Sequence, residues 1–363
     1  MKRENRKKIE QTGKLLLCIL IVLLVCIFLY RAVYSRQIFE NKTEILQFTA
    51  EQYEGLDYET AKQVQTENEK SEYPIEFVNW TQIDAQRILS VQLEKEIDAA
   101  FIVLYGRSDL LFPGVPVLSA GDTEECLISS SLSEKLFGNE NTIGLQVATS
   151  NRTFEVKGII ESKDSFLVYE ADESDTILLD RASAATFGDV EKTKENYRKL
   201  CGEWEVVDYP LLGYTSWFVY TAAICFPICC ILFLVRKYGK EAGRQNPEGW
   251  EKIIWKILFW LILIFALWVV FHNISIPEDM IPSKWSDFEF WSELTDHKKA
   301  AAELLETMEK KIPDLPYWML FRTAMLYSVM ALAGELTAFF VWKNIGKKLK
   351  KHERCRKPLI VIE

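Results

Sequence analysis

The chain has 363 residues, 49% of them hydrophobic, with 52 acidic against 43 basic side chains and a formal net charge of −9. Three histidines, none beside a cysteine pair, leave no zinc-site spacing. There is neither a G-x-S-x-G elbow for a serine nucleophile nor a G-x-x-x-x-G-K-[ST] loop to hold ATP, so a non-enzyme without cofactor or metal is expected.

Residues 1–14 carry six basic side chains, and 15–30 form an uncharged apolar stretch between Lys14 and Arg31, just long enough to span a bilayer. The basic start resembles a secretion signal. No small-x-small cleavage site follows Tyr30, which favours an uncleaved signal anchor over a removed peptide. Further apolar stretches at 214–235, 253–271 and 317–342 complete four expected transmembrane helices, with Lys256 near enough to one end to snorkel.

Positive flanks are retained in the cytoplasm. Residues 1–14, the loop 236–252 and the tail 343–363 hold 19 of the 43 basic residues but seven of the 52 acidic ones, a balance of +12 that leaves −21 elsewhere. Both termini and 236–252 are therefore expected inside, and 31–212 and 272–316 outside. The basic tail 347–357 suits anionic lipid headgroups, and beside a membrane span nucleic acid is the poorer partner.

Cys18, Cys26, Cys225, Cys229 and Cys230 fall in the spans as small apolar fillers, and Cys355 lies in the tail. Only Cys126 and Cys201 face outside, where they form either one disulfide or two free thiols. The sequons at Asn41, Asn79, Asn151 and Asn273 bear only on a eukaryotic secretory pathway.

The block 31–212 reads as a mixed α+β domain. Its approach, 38–67, mixes Ile45, Leu46, Phe48 and Ala50 with Glu, Gln and Lys, and reads as a helical stalk continuing the first span. Residues 99–105 are an apolar run of strand length closed by Gly106, and Gly121-Asp122 turns into a strand at 126–128. Ser131-x-x-Glu134 has the capping-box pattern for a short helix lined by Leu132, Leu136 and Phe137 and ended by Gly138. Strands are expected at 145–147, at 153–160, which starts with period-two alternation, and at 176–179. Asp180 then reads as the cap of a helix through Ala185 that closes at Phe187-Gly188. The acidic run 170–175 lacks the glycine and terminal glutamate of an EF-hand and reads as a solvated loop.

The series Gly121-Asp122, Leu127-Ile128-Ser129-x-x-Leu132-Ser133-x-x-Leu136-Phe137-Gly138, Ile143-Gly144, Phe154-x-Val156-x-Gly158-Ile159-Ile160 and Ile177-Leu178-Leu179-Asp180 through Phe187-Gly188 resembles the extracytoplasmic core domain of MacB/FtsX-type ABC transporter permeases. The arrangement of one helix, a domain and three helices resembles that family too. The resemblance implies a permease subunit in a bacterial cytoplasmic membrane, paired with a second copy or paralogue. A separate cytoplasmic ATPase would drive movements of its outer domain for mechanotransmission or export. It places the ATPase contact in 236–252, where Tyr238 and Trp250 suit a short amphipathic coupling helix, a solvated connector being the other reading. A membrane-anchored sensor or scaffold without an ATPase partner is the alternative function.

Two features go beyond that pattern. About 45 residues separate the third and fourth spans, where a short loop is usual, and they hold Trp285, Phe288, Phe290 and Trp291 before a charged helix-like segment, 293–311. The aromatic group suits either the headgroup level or a partner surface. The fourth span also carries Arg322 and Glu335, roughly 20 Å apart along a helix axis, too far to pair. Arg322 can snorkel. Glu335 needs a partner, a wet cavity or a proton, or else packs at a dimer interface beside Gly334, Ala331 and Ala338. Pro227 is a candidate kink in the second span.

Overall fold

A computed structural model describes residues 2–42, 44–50, 55–139, 141–186, 190–245, 250–273 and 288–354. The chain divides into two compact units. One comprises Met1–Phe39, Leu211–Leu294 and Met319–Glu363, and the other comprises Glu40–Pro210 and Thr295–Trp318.

The first unit is built from helices: α1 (Lys2–Lys42), α5 (Tyr209–Gln245), α6 (Trp250–Asn273) and α8 (Leu315–Arg354) supply its segments, with the start of α7 (Phe288–Thr307). Among the described residues, three helical stretches are long and apolar enough to cross a membrane: Ile19–Lys42, Tyr209–Lys240 and Ile312–Val341. Ile253–Val269, the core of the third expected span, is a shorter apolar helix. Each long helix runs past the apolar boundary read from sequence, because an α-helix that satisfies its own backbone needs no apolar side chains to continue into water. Val25, Ala223 and Ala331 pack into a small core, and a Cβ on Gly334 would come within 2.7 Å of Val25, so α1 and α8 meet at small residues. Leu20, Leu23, Ile264 and Phe265 lie exposed, as a bilayer-facing surface requires.

The second unit is organised around two long strands, β2 (Phe77–Ser90) and β3 (Lys95–Gly106), paired antiparallel along nearly their whole length. From β3 the sheet passes to β7 (Phe166–Glu170), β4 (Glu125–Ser129), β6 (Thr153–Ile160) and β5 (Gln146–Ala148), and β5 pairs back with Leu89 and Ser90 of β2. Six strands thus close on themselves, which leaves no free edge among them. The inward face of this ring, with Ile88, Phe101, Val103, Cys126, Ile128, Val147, Phe154, Leu167 and Tyr169, makes one core under α2 (Tyr58–Glu69) and α3 (Ser130–Phe137). Its outer face, with Trp80, Ile102, Leu104, Leu127 and Phe166, makes a second core beneath the 108–118 loop.

The first half of β2 pairs instead with β8 (Arg181–Ala185), which continues to β1 (Ile45–Thr49) and β9 (Glu205–Val207). One extra residue in β2 between Ile83 and Gln86, with Ala85 at φ 54°, forms a bulge between the two halves. A third core, Phe48, Phe77, Ala182, Ala184, Tyr197 and Trp204, fills this arm against α4 (Val190–Cys201).

Strands at 126–128, 145–147 and 153–160 stand where the sequence places them, allowing a residue or two at their ends, and the one at 99–105 starts four residues earlier, at Lys95. Four local readings are corrected. Helix α1 stops at Lys42, and the segment read as a stalk becomes β1, whose Leu46 and Phe48 are buried. The helix of 130–137 is capped by Ser129, whose hydroxyl accepts from the Leu132 amide, while Gly138 ends it at φ 70° as expected. Leu179 makes one isolated bridge to Leu56 rather than a strand at 176–179. Finally, 181–185 is strand β8, not a helix capped by Asp180. Ala182 and Ala184 fit under Phe48 and Phe77 where larger residues would not, so two-sided burial overrides the helix preference of alanine. The expected closure at Phe187-Gly188 lies outside the described residues.

Candidate functional site

Lys42 ends α1, Tyr209 begins α5 and Tyr317 stands in the first turn of α8, all three within the second unit. They meet in one buried cluster. The Tyr209 and Tyr317 rings stack at 4.2 Å, 8° from parallel, and the Tyr317 hydroxyl donates to the Lys42 carbonyl at 3.2 Å. The Lys42 ammonium lies over the same ring at 5.2 Å. Gln47 of β1 reaches the Tyr317 oxygen with its amide at 3.5 Å, and its carbonyl oxygen accepts from Ser183 of β8 at 2.6 Å. Ser183 in turn accepts from the Trp80 indole at 3.1 Å. The polar chain therefore runs from the helix heads into the centre of the sheet.

The connector between α7 and α8 completes the site. Lys311, 5% exposed, places its ammonium 2.6 Å from both carboxylate oxygens of Asp180 and 3.4 Å from the Thr81 hydroxyl. The Ile312 amide donates to Gln82 at 2.6 Å. Arg181 donates to the Glu309 carbonyl at 2.8 Å and faces Asp314 at 3.9 Å, and Asp314 accepts from the Lys311 amide at 3.1 Å. Lys298 of α7 pairs with Asp208, next to the head of α5, at 2.7 Å. The charged segment expected at 293–311 is thus largely helical, and from Thr295 onward it belongs to the second unit. None of the pairs that join separate elements was legible, because they lie 90 to 275 positions apart.

The residues singled out from the sequence are elsewhere. Tyr238, on α5, is 47% exposed and stacks on Trp255 of α6 at 6.0 Å. Trp250 opens α6 and is 80% exposed. No separate coupling helix stands between them among the described residues; α5 simply continues to Gln245. Arg322 is exposed, whereas Glu335 is 9% exposed, with one carboxylate oxygen lacking a partner. Cys126 and Cys201 are free thiols, one in the core of the ring and the other beside the Phe48 core, so the disulfide alternative is not formed. Trp285 lies outside the described residues; Phe290 and Trp291 pair edge to face at 5.5 Å on α7.

The acidic run 170–175 is a solvated loop only at Glu173 and Ser174, which are exposed. Arg152 binds Asp172 and Asp175 at 3.2 and 3.0 Å while its guanidinium lies over Phe154 and Tyr169. Glu170 is fully buried, holding only the Gly106 amide at 3.4 Å, and burial pushes its carboxyl up to about 9. No group of metal-ligating residues assembles among the described residues.

Fold and site define a class: a membrane protein of long apolar helices that carries a mixed α+β domain. No protein-family model and no curated protein matches the sequence. Solved structures that resemble the chain include two extracytoplasmic domains. One is the periplasmic region of MacB from Actinobacillus actinomycetemcomitans, at 16% identity and a TM-score of 0.35, covering 45% of this chain and 86% of that one. The other is the extracellular domain of the noncanonic ABC-type transporter YknZ from Gram-positive bacteria, at 15% identity and a TM-score of 0.30, covering 45% of this chain and 99% of that one.

Proposed function

We propose that the chain is a permease-like subunit of an ABC transporter in a bacterial cytoplasmic membrane, coupling a separate cytoplasmic ATPase to movements of its extracytoplasmic domain. The observation that carries this is the cluster of Lys42, Tyr209 and Tyr317: three membrane-length helices end in one buried polar site at the centre of the sheet. A tether needs a single helix, whereas a domain gripped by three helix heads responds to a change in any of them. The order of one helix, a domain and further helices, with basic residues gathered at the termini and in 236–252, supports both termini inside and ATP hydrolysis by another chain.

The test is a mild-detergent pulldown of the tagged full-length protein from its native membrane, read by mass spectrometry. A stoichiometric partner with a Walker motif, and with it a second permease copy or paralogue, is the expected result. Recovery of the intact protein with envelope proteins but no ATPase overturns the reading in favour of a membrane-anchored sensor or scaffold.

A further inference from the structure

The connector from Glu309 to Trp318 touches the sheet almost wholly through side chains. The Ile312 amide goes to a glutamine side chain, the Glu309 carbonyl to an arginine side chain, and the Asp314 amide back to Lys311 of the connector itself. No backbone ladder joins it to β2 or β8 among the described residues, and of its apolar side chains Ile312 alone is packed against the core of the ring's outer face. By contrast β8, directly beneath it, is laddered on both sides, to β1 and to β2. Two ion pairs, Lys311 with Asp180 and Arg181 with Asp314, add to this, and Tyr317 at its end contributes the stack on Tyr209 and the side-chain bonds with Lys42 and Gln47. The first pair is half open to water, since the Asp180 side chain is 39% exposed while Lys311 is covered.

We infer that Glu309–Trp318 is an ionic latch, which seats the head of α8 on strands β2 and β8 and detaches as a unit while the sheet beneath stays folded. The physical ground is a difference in what each element loses on opening. Removing the connector breaks side-chain contacts whose charged ends can be rehydrated at the Asp180 side, whereas removing β8 breaks two ladders and empties the Phe48 core. When the latch is closed, Tyr317 is stacked on Tyr209 and held to Lys42; when it opens, α8 keeps only its chain connection to the domain. The latch rests on the proposed function, in which the outer domain moves, for its use, but not for its existence.

The test is hydrogen exchange on the full-length protein in detergent, followed peptide by peptide, and it needs neither an ATPase nor a known orientation. In the wild type, amides of 310–314 should exchange roughly tenfold faster than those of 182–184. Lys311→Asp should speed 309–318 further by roughly tenfold and leave 125–129 and 153–160 unchanged, and adding Asp180→Lys should restore the slow exchange. Equal protection of 310–314 and 182–184 in the wild type overturns the latch, and that comparison stands even where a variant fails to fold. Loss of protection in β1, β2 and β8 together with the connector overturns it as well, making the segment part of one cooperative core.

Discussion

Tyr209 and Tyr317 lie 108 positions apart in sequence, yet their rings stack at 4.2 Å with 8° between planes, both nearly inaccessible to water. Each begins a helix of membrane length, so the pair fixes the spacing of the heads of α5 and α8 at one point. Tyr317→Ala removes the stacked ring and its bond to the Lys42 carbonyl and should lower stability by about 3 kcal/mol, read as thermal unfolding of the full-length protein. Tyr317→Phe keeps the ring and should lose about 1 kcal/mol. Equal losses in the two variants would place the stabilisation in the hydroxyl rather than in the stack.

Glu170 makes stability depend on pH. The folded state holds its proton up to about 9, whereas an exposed glutamate releases it near 4.5, so between these values the folded state binds one proton more. Stability from this group is complete below the lower value and falls as pH rises through the upper one. Glu170→Gln keeps the shape without the charge and should flatten the decline, with a gain on the order of 3 kcal/mol at neutral pH. Melting curves of both proteins at several pH values decide it: parallel pH profiles would mean that Glu170 is already ionised in the folded protein.

Arg152 answers two carboxylates and stacks on two rings at once. Arg152→Met retains the apolar stem but leaves Asp175, with its side chain 12% exposed, without a cation, and should cost about 3 kcal/mol. Adding Asp175→Asn should recover part of that loss, measured as a double-mutant cycle.

Trp250 is a cleaner probe of an ATPase contact than Tyr238. Its ring is 80% exposed, so Trp250→Ala should weaken recovery of an ATPase while leaving the melting temperature unchanged. Tyr238→Ala also removes the stack on Trp255, and should lower both. Full ATPase recovery with Trp250→Ala would put the contact elsewhere.

The parts of the fold legible in the sequence were those whose cause is local. The apolar run 99–105 is buried on both faces, and the alternation of Phe154 and Val156 with Glu155 follows period two, so both declare themselves as strands. Gly138 declares the end of α3 because it is left-handed there. What failed locally was decided at a distance. Arg181–Ala185 has a helix former's composition but is clamped between β1 and β2, and Asp180 resembles a cap while its carboxylate is taken by Lys311. The same holds for 45–49, where Phe48 is drawn into a core with Tyr197, some 150 positions later. The site was the least legible part, since no motif links Lys42, Tyr209 and Tyr317. The one available signal was the unusual length of the segment before the fourth span, whose second half now lies against the sheet.

The bulge at Ala85 carries a consequence for how this chain tolerates change. Before it, Ile83 points into the ring; after it Ile88, five positions on rather than an even number, points the same way. Deleting Ala85 would leave the two isoleucines four positions apart, so plain alternation would keep Ile88 inside and Arg87 and Leu89 out, and the bend alone would be lost. A single missing codon there would be read as a straighter strand, with the closure onto β5 and the pairing of Phe77–Trp80 with β8 both still in phase.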